Sequence, residues 1–243
     1  MGLALLSVLP VRRQAFELSL RTHQGLAVAL MVLLWLHIPL RLTVATGCLG
    51  AFCGLWLLQR LLWFALLLRR NYGAGRNLVQ VRAVSEDAEN GVQAVQVWVT
   101  VKKRWHSYAG QYVYLTLPSH TGRLLSFLQS HPYYIAWTDE PDAGQPQRLA
   151  LLIETRHGFS NSIRTAIGRR AVLDGPYGIA HALHRYDKVV FMASGIGITA
   201  HLTSIRTLVR AHNDNTAMVR RISLVWLVES PGKHVTWYGR AHN

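Results

Sequence analysis

Hydrophobic positions near the start of the chain form two long runs. Residues 22–40 contain no Asp, Glu, Lys or Arg, and residues 42–68 are interrupted only by Gln59 and Arg60. A helix over residues 22–40 extends about 28 Å, close to the roughly 30 Å of a bilayer's hydrocarbon core. Because only Arg41 separates the runs, the pattern predicts two transmembrane helices joined as a tight hairpin, with both ends on one side.

Beyond Arg76 the pattern changes to short segments of alternating apolar and polar residues, separated by Gly, Asp, Pro and Ser. Such alternation is typical of half-buried strands. It predicts strands at residues 78–84, 92–101, 111–117, 133–137 and 149–155. Several short strands without long helices favour a small antiparallel β-barrel.

A different order of elements follows residue 186. KVVFMA (188–193) predicts a buried strand, an amphipathic helix reaches from SGIGITA (194–200) to about His212, and ISLVWLV (222–228) predicts a parallel strand. This order is typical of a right-handed β-α-β unit. The pattern therefore divides the chain into a membrane part (1–75), a barrel (76–185) and part of an α/β domain (186–243).

Composition supports this division and excludes several classes of protein. Of 243 residues, 50% are hydrophobic and only 16% are charged, against about 25% charged in soluble domains. Disordered and collagen-like chains do not have this composition. Cys48 and Cys53 both lie in the second apolar run, which excludes a disulfide scaffold for the soluble part.

The net charge of +14 permits nucleic-acid binding, but its distribution favours a membrane. Arginines flank the apolar runs, where positive charge sets membrane orientation; they are Arg12, Arg13, Arg21, Arg69, Arg70 and Arg76. Elsewhere Arg and Lys are scattered without an aromatic–basic repeat. We therefore expect contact with membrane lipid, no nucleic-acid partner, and a cytosolic position for the soluble part.

Two histidines in the first run have the spacing of paired haem ligands. His23 and His37 are 14 residues apart. At about 100° per residue they leave the same face of a helix, separated by roughly 21 Å along its axis. Neutral imidazole is the usual nitrogen ligand of haem iron. The alternative is that each histidine simply lies at a membrane interface.

Three motifs in the soluble part carry groups that can hold a ligand: SHPYYIAW (130–137), ETRHGFSNSI (154–163) and VLDGPYG (172–178). Gly158 and Ser160 precede a predicted helix whose free N–H groups can bind a pyrophosphate, and Arg156 adds a positive charge. Tyr133 or Tyr134 can lie against an isoalloxazine ring or hydrogen-bond its edge. Taken singly, these motifs are also typical of strand starts and turns.

The glycine-rich loop after residue 193 indicates a dinucleotide site. Gly195, Gly197 and Ala200 fit G-x-G-x-x-A between a predicted strand and a predicted helix. Gly195 permits the tight turn, Gly197 lets a pyrophosphate approach the backbone, and Ala200 keeps the helix near the sheet. An ordinary α/β turn is the alternative.

The order of these parts resembles the ferric-chelate reductase and NADPH oxidase family, from about Phe16 to about Glu229. FELSLRTHQGLAVALMVLLWLH (16–37) is most similar to filamentous-fungal ferric reductases. The resemblance implies a ferredoxin-reductase-like soluble part, with an FAD-binding barrel before an NAD(P)-binding α/β domain. It implies that NADPH reduces FAD in the cytosol and that electrons cross a membrane, expected to be the plasma membrane, through two haem b groups. The acceptor would be chelated Fe(III) or Cu(II).

The same resemblance assigns site residues. It gives His23 and His37 one axial ligand position on each haem. It gives the flavin motif as His131, Pro132, Tyr133 and Tyr134, and the FAD pyrophosphate stretch as Gly158, Phe159 and Ser160. It gives the turn that closes the flavin domain as Gly175, Pro176, Tyr177 and Gly178. The nucleotide loop is Gly195, Ile196, Gly197, Ile198 and Thr199. No catalytic side chain is expected, because the cofactors carry the electrons.

The chain departs from the family pattern in ways that keep three functions open. Helices supplying the other haem ligands and later strands of the nucleotide domain are not in the sequence, so it is interpreted as truncated at both ends. Tyr134 stands where Ser or Thr is usual, and Ser194 where a first Gly is frequent. The functions are a ferric-chelate reductase-like oxidoreductase, a truncated non-catalytic membrane flavoprotein remnant, and a superoxide-forming NADPH oxidase.

Overall fold

A computed structural model describes residues 16–37, 44–72, 78–87, 91–101, 105–117, 130–139, 147–154, 163, 166–230 and 233–236. The chain divides into two compact units, Met1–Leu66 and Leu67–Asn243. The first unit holds most of the helical part. The second holds an antiparallel sheet and an α/β part.

Two helices coincide with the two apolar runs. Helix α1 is Phe16–His37 and helix α2 is Val44–Tyr72, whose last turn, from Leu67, belongs to the second unit. Within the described ranges one helical segment, Val44–Asn71, is long and apolar enough to cross a membrane, while the apolar part of α1, Thr22–His37, is shorter. The tight hairpin stays a prediction, because residues 38–43 lie outside the described residues.

Six antiparallel strands form the main sheet of the second unit. They are β1 (Leu78–Asp87), β2 (Gly91–Val101), β3 (Tyr112–Thr116), β4 (Ser130–Thr138), β5 (Gln147–Glu154) and β6 (Val172–Tyr177), in the order β1-β2-β5-β4-β3-β6. All five strands that the alternation of apolar and polar residues predicted are present. Strand β6 was expected only as a turn motif. The sheet confirms the antiparallel architecture, and its closure into a barrel stays a prediction.

Alternation along the strands explains the core of this sheet. Val95, Val97 and Val99 on β2 are buried and lie opposite Ile153, Leu151 and Leu149 on β5, which are buried as well. Successive side chains of a strand point to opposite faces, so one face of each strand becomes the core. The same rule sends Val113 and Leu115 of β3 inward and leaves the tyrosines beside them on the other face.

The α/β part follows the predicted order and adds a strand. Strand β7 (Lys188–Ser194) leads through a 3-10 turn (Gly195–Ile198) into α3 (Thr199–Asn213), and β8 (Arg221–Ser230) returns parallel to β7. Strand β9 (Lys233–Thr236) pairs antiparallel with β8. Strand β9 was not predicted from the sequence, and it pairs with the edge of β8 opposite to β7.

Polar contacts join α3 to the main sheet. The Arg206 guanidinium donates to the Thr138 carbonyl at 2.9 Å, and its carbon lies 3.8 Å from the centroid of the Trp137 ring. The Gly110 N–H donates to the Thr203 hydroxyl at 3.1 Å. Both parts thus pack within one unit, and a domain boundary near residue 185 stays a prediction.

Candidate functional site

Four tyrosines form a cluster on the outer face of the main sheet. This tyrosine cluster consists of Tyr112 and Tyr114 on β3, Tyr134 on β4 and Tyr177 on β6. Ring centroids lie 5.7 to 5.9 Å apart, mostly edge to face. Strand pairing causes this grouping, since Tyr112 lies opposite both Tyr134 and Tyr177. Aromatic rings at such distances stabilise one another and present a surface for a planar ligand.

The His-Pro-Tyr-Tyr motif begins strand β4 and divides its two tyrosines between the faces. Tyr134 joins the tyrosine cluster and is 41% exposed. Tyr133 packs against the core, and burial raises the pKa of its phenol to about 12. His131 and Pro132 lie opposite Leu115 and Tyr114 on β3. Of the two tyrosines proposed to meet a flavin ring, Tyr134 is therefore the exposed one.

The Gly-Pro-Tyr-Gly motif ends β6 beside the tyrosine cluster. Gly175 has a φ of +134°, and a Cβ there would lie 3.2 Å from the Tyr112 carbonyl oxygen. Only glycine combines this conformation with this close approach. The Tyr177 hydroxyl donates to the Asp174 carboxylate at 2.8 Å, which fixes the position of that ring. Pro176 and Gly178 complete the turn, so all four predicted residues lie together.

Gln111 is a buried polar residue that the sequence interpretation missed. Its amide nitrogen donates to the Gly178 carbonyl at 2.9 Å, and its amide oxygen accepts from the Tyr108 N–H at 2.8 Å. Its backbone carbonyl accepts from the Ile135 N–H at 3.0 Å. Gln111 thereby holds the turn of β6, the start of β3 and strand β4 together. One glutamine before a strand gives no pattern by which it could have been found.

The residues predicted to hold a pyrophosphate, Arg156, Gly158, Phe159 and Ser160, lie outside the described residues. Their role therefore stays a prediction. A cleft of about 120 Å³ between α3 and the sheet, lined by Ser107, Thr138, Thr203 and Arg206 among others, is smaller than the roughly 300 Å³ at which ligand pockets begin. This cleft is therefore too small to hold a flavin or a nucleotide.

The nucleotide loop leaves open space in front of helix α3. Gly195 has a φ of +51°, and a Cβ at Gly195 or Gly197 would meet no described atom within 4 Å. The Thr199 hydroxyl donates to the Ile196 carbonyl at 2.9 Å, and α3 begins at Thr199. Open space before the first turn of a helix suits a phosphate group. Ile198 is buried beneath the loop.

Trp226 on β8 is a second residue that the sequence interpretation missed. Its indole N–H donates to the Gly195 carbonyl at 2.9 Å. The partners are 31 residues apart in the chain, so no local motif signals the bond. The contact fixes the first residue of the loop from the neighbouring strand.

His23 and His37 both lie on the continuous helix α1 and are exposed. On one continuous helix, residues 14 positions apart lie on nearly the same face. Among the described residues, no group of three or more His, Cys, Asp or Glu is arranged to hold a metal ion. Two imidazoles on one helix face fit the donor chemistry of one axial ligand to each of two haems, and haem binding stays a prediction.

Comparison with known proteins finds one matching domain family and several similar proteins. Residues 79–181 match the FAD-binding domain family. The chain is 30% identical over 158 residues to "Probable cell surface ferric reductase kap2" of Aspergillus oryzae, covering 60% of this chain and 20% of that protein. It is 26% identical over 251 residues to "Ferric reductase transmembrane component 6" of Saccharomyces cerevisiae, covering 94% and 31%.

The chain is thus similar to ferric-chelate reductase-like proteins. It spans about a fifth to a third of the length of the two relatives just described. The resemblance that the motifs indicated is thereby confirmed, as is a domain of the FAD-binding family. The two relatives' names describe a cell-surface protein and a transmembrane protein.

Solved flavoprotein structures resemble part of the chain. A ferredoxin NADP+ reductase from Neisseria gonorrhoeae with bound FAD and NADP has a TM-score of 0.48 at 13% identity, covering 64% of this chain and 57% of that one. A cytochrome P450 reductase from Amycolatopsis has a TM-score of 0.47 at 21% identity, covering 65% and 44%. Residue roles do not transfer at this level of similarity.

Proposed function

We propose that this chain is the flavin- and nucleotide-binding part of a membrane oxidoreductase. The proposed route takes electrons from NADPH, through FAD and haem, to chelated Fe(III) or Cu(II) on the far side of the membrane. The observation that carries the proposal is the tyrosine cluster, which lies within the match to the FAD-binding domain family and in one compact unit with the nucleotide loop. FAD supplies the required chemistry, because it takes a hydride and releases electrons one at a time.

The tyrosine cluster is the proposed surface for the flavin ring. Tyr134 offers a half-exposed aromatic side chain, and its neighbours hold it in place through edge-to-face contacts. The Gly175 turn lets β6 approach β3 closely enough for Tyr177 to join the cluster. Gln111 fixes that turn. The tyrosine cluster thus contributes a preformed aromatic surface.

The nucleotide loop is the proposed site for the pyrophosphate of NADPH. Gly195 and Gly197 leave room for phosphate oxygens to approach the backbone, and the start of α3 adds the partial positive charge of a helix N-terminus. Ring nitrogens of His23 and His37 are the proposed haem ligands supplied by this chain. Their membrane position on α1 is part of the proposal.

A spectrum of the purified membrane fraction tests the function. A haem Soret band, together with flavin that bleaches on addition of NADPH and Fe(II) that forms from chelated Fe(III), would support the proposal. Flavin without haem or transfer would instead favour the non-catalytic remnant. Superoxide in place of Fe(II) would favour the oxidase. Absence of flavin from a folded preparation would refute the proposal.

A matched pair of variants tests the flavin surface. Tyr134→Ala removes a ring from the tyrosine cluster, so FAD affinity should fall several-fold, as expected when one aromatic contact of about 1 kcal/mol is lost. Tyr108→Ala removes a ring that is 63% exposed and outside the cluster, and it should leave affinity unchanged. Fluorescence titration of FAD measures both. Equal affinities in the two variants would count against this surface.

A further inference from the structure

Strand β6 lies at one end of the described sheet, yet its outer edge is bonded by a side chain. In an antiparallel pair, the N–H and C=O of one residue point to the same side of the strand. Both groups of Leu173 bond to Asn71, with Leu173 N–H donating to the amide oxygen at 2.8 Å and the amide nitrogen donating to the Leu173 carbonyl at 2.9 Å. The Asn71 side chain therefore makes the pair of hydrogen bonds that a neighbouring strand would make with Leu173.

Asn71 lies in the last turn of α2 and is only 3% exposed. Its amide nitrogen also donates to the Leu67 carbonyl one turn earlier, at 2.9 Å. Both amide protons and the amide oxygen are thus used. A buried amide with all its hydrogen bonds made is stable, whereas loss of any partner leaves a buried polar group unsatisfied.

Arg70 makes a second contact with the same strand edge. Its guanidinium donates to the Gly175 carbonyl. Residues two apart on a strand face the same side, so Leu173 and Gly175 are successive residues on the outer edge of β6. Arg70 and Asn71 together donate hydrogen bonds to two successive carbonyls on this edge, those of Gly175 and Leu173. Gly175 in turn adjoins Tyr112 and Tyr177, so the end of α2 is tied to the tyrosine cluster through one residue.

We propose that Arg70 and Asn71 are positioning residues, which hold the last turn of α2 against the outer edge of β6 and so keep the Gly175 turn and the tyrosine cluster in place for the flavin ring. This role rests on the function proposed above. Without these bonds the Gly175 turn and Tyr177 should shift relative to Tyr112, which should weaken FAD binding.

Hydrogen exchange tests the docking independently of activity. The full chain in lipid nanodiscs should protect the Leu173 amide. Asn71→Ala should abolish that protection, whereas Asn71→Asp, which keeps an acceptor for the Leu173 N–H, should retain part of it. Arg70→Ala should loosen Gly175 and its neighbours, and Arg69→Ala, which removes an exposed arginine from the same turn, should change nothing. Unchanged protection in Asn71→Ala would overturn the docking.

FAD titration tests the positioning role. In Asn71→Ala and Arg70→Ala, FAD affinity should fall several-fold, as expected when a hydrogen bond of about 1 kcal/mol is lost, while NADPH affinity should stay unchanged. Arg69→Ala should keep both affinities. Unchanged FAD affinity in Asn71→Ala would refute the positioning role alone. Failure of the unchanged chain to take up FAD would refute the proposed function, and the positioning role with it.

Discussion

Tyr133 and Tyr134 are adjacent in the chain but lie on opposite faces of β4. Tyr134 belongs to the tyrosine cluster, and Tyr133 packs against the core. The sequence could not decide which ring faces outward, because a strand's alternation has two possible phases and the motif fits both. Pairing of Tyr112 with Tyr134 across β3 and β4 decides the phase.

The burial of Tyr133 predicts a loss of stability in alkali. Because the pKa of its phenol is about 12 in the folded chain against 10 ordinarily, the unfolded chain releases this proton first. The free energy of unfolding should therefore decrease as pH rises from about 10 to about 12, by on the order of 2 kcal/mol from this residue. Tyr133→Phe should lack that component, as measured by urea unfolding at pH 9 and pH 11. Parallel pH profiles for both proteins would contradict it.

Gly175 is a position where the structure requires glycine on two counts. Gly175→Ala should destabilise the second unit by roughly 2 kcal/mol or more, since it combines a φ of +134° with a contact of 3.2 Å to the Tyr112 carbonyl. Gly168→Ala is the control, because φ is +71° there but the space is open, and it should cost about 1 kcal/mol. Chemical denaturation compares them. Equal losses would mean that the close approach adds nothing.

At the scale of elements, periodicity predicted most strands but not those that carry turn residues. Strand β6 contains Asp, Gly and Pro, which usually mark turns, and it is held as a strand by pairing with β3 and by the side chain of Asn71. Strand β9 is only four residues long and depends on β8 for pairing. Both are determined by partners distant in sequence, which a local pattern does not contain.

For the same reason, the sequence did not indicate which residues hold the elements in place. Gln111, Asn71 and Trp226 are single polar or aromatic residues with no repeat around them. Their partners lie 67, 102 and 31 residues away. Candidate cofactor motifs were predicted from the sequence because they are contiguous. The residues that position those motifs were not, since their role exists only after folding.

Trp226 allows the nucleotide loop to be tested from a neighbouring strand. Trp226→Phe keeps an aromatic ring but loses the bond to the Gly195 carbonyl, so the loop should become less ordered. One hydrogen bond of about 1 kcal/mol corresponds to a several-fold loss of NADPH affinity. FAD affinity should stay unchanged, as should both affinities in Trp98→Phe on β2. Isothermal titration measures them, and unaltered NADPH binding would show that the loop needs no such support.

At the scale of the whole molecule, the order of the helical, antiparallel and α/β parts was predictable because each part has its own local sequence pattern. Runs of apolar residues, then alternation, then a strand–helix–strand pattern appear in succession, and each needs only its own segment. Packing of α3 onto the main sheet is a different kind of property. It depends on Arg206 meeting Trp137 and Thr138, residues from a strand some seventy positions earlier, and no feature of α3 alone indicates it.

We expect the contact of Arg206 with Trp137 and Thr138 to decide whether the second unit unfolds in a single step. Arg206→Met keeps the length of the side chain but loses both the bond to Thr138 and the stacking on Trp137, which together contribute about 1–3 kcal/mol. The α/β part should then open before the main sheet, so hydrogen exchange in urea should separate α3 from β2, whereas the unchanged chain should lose both together. Arg220→Met is the control, because its side chain is 86% exposed. If Arg206→Met still unfolded in a single step, the joint between α3 and the sheet would have to rest on the Gly110–Thr203 bond and the apolar contacts of α3 instead.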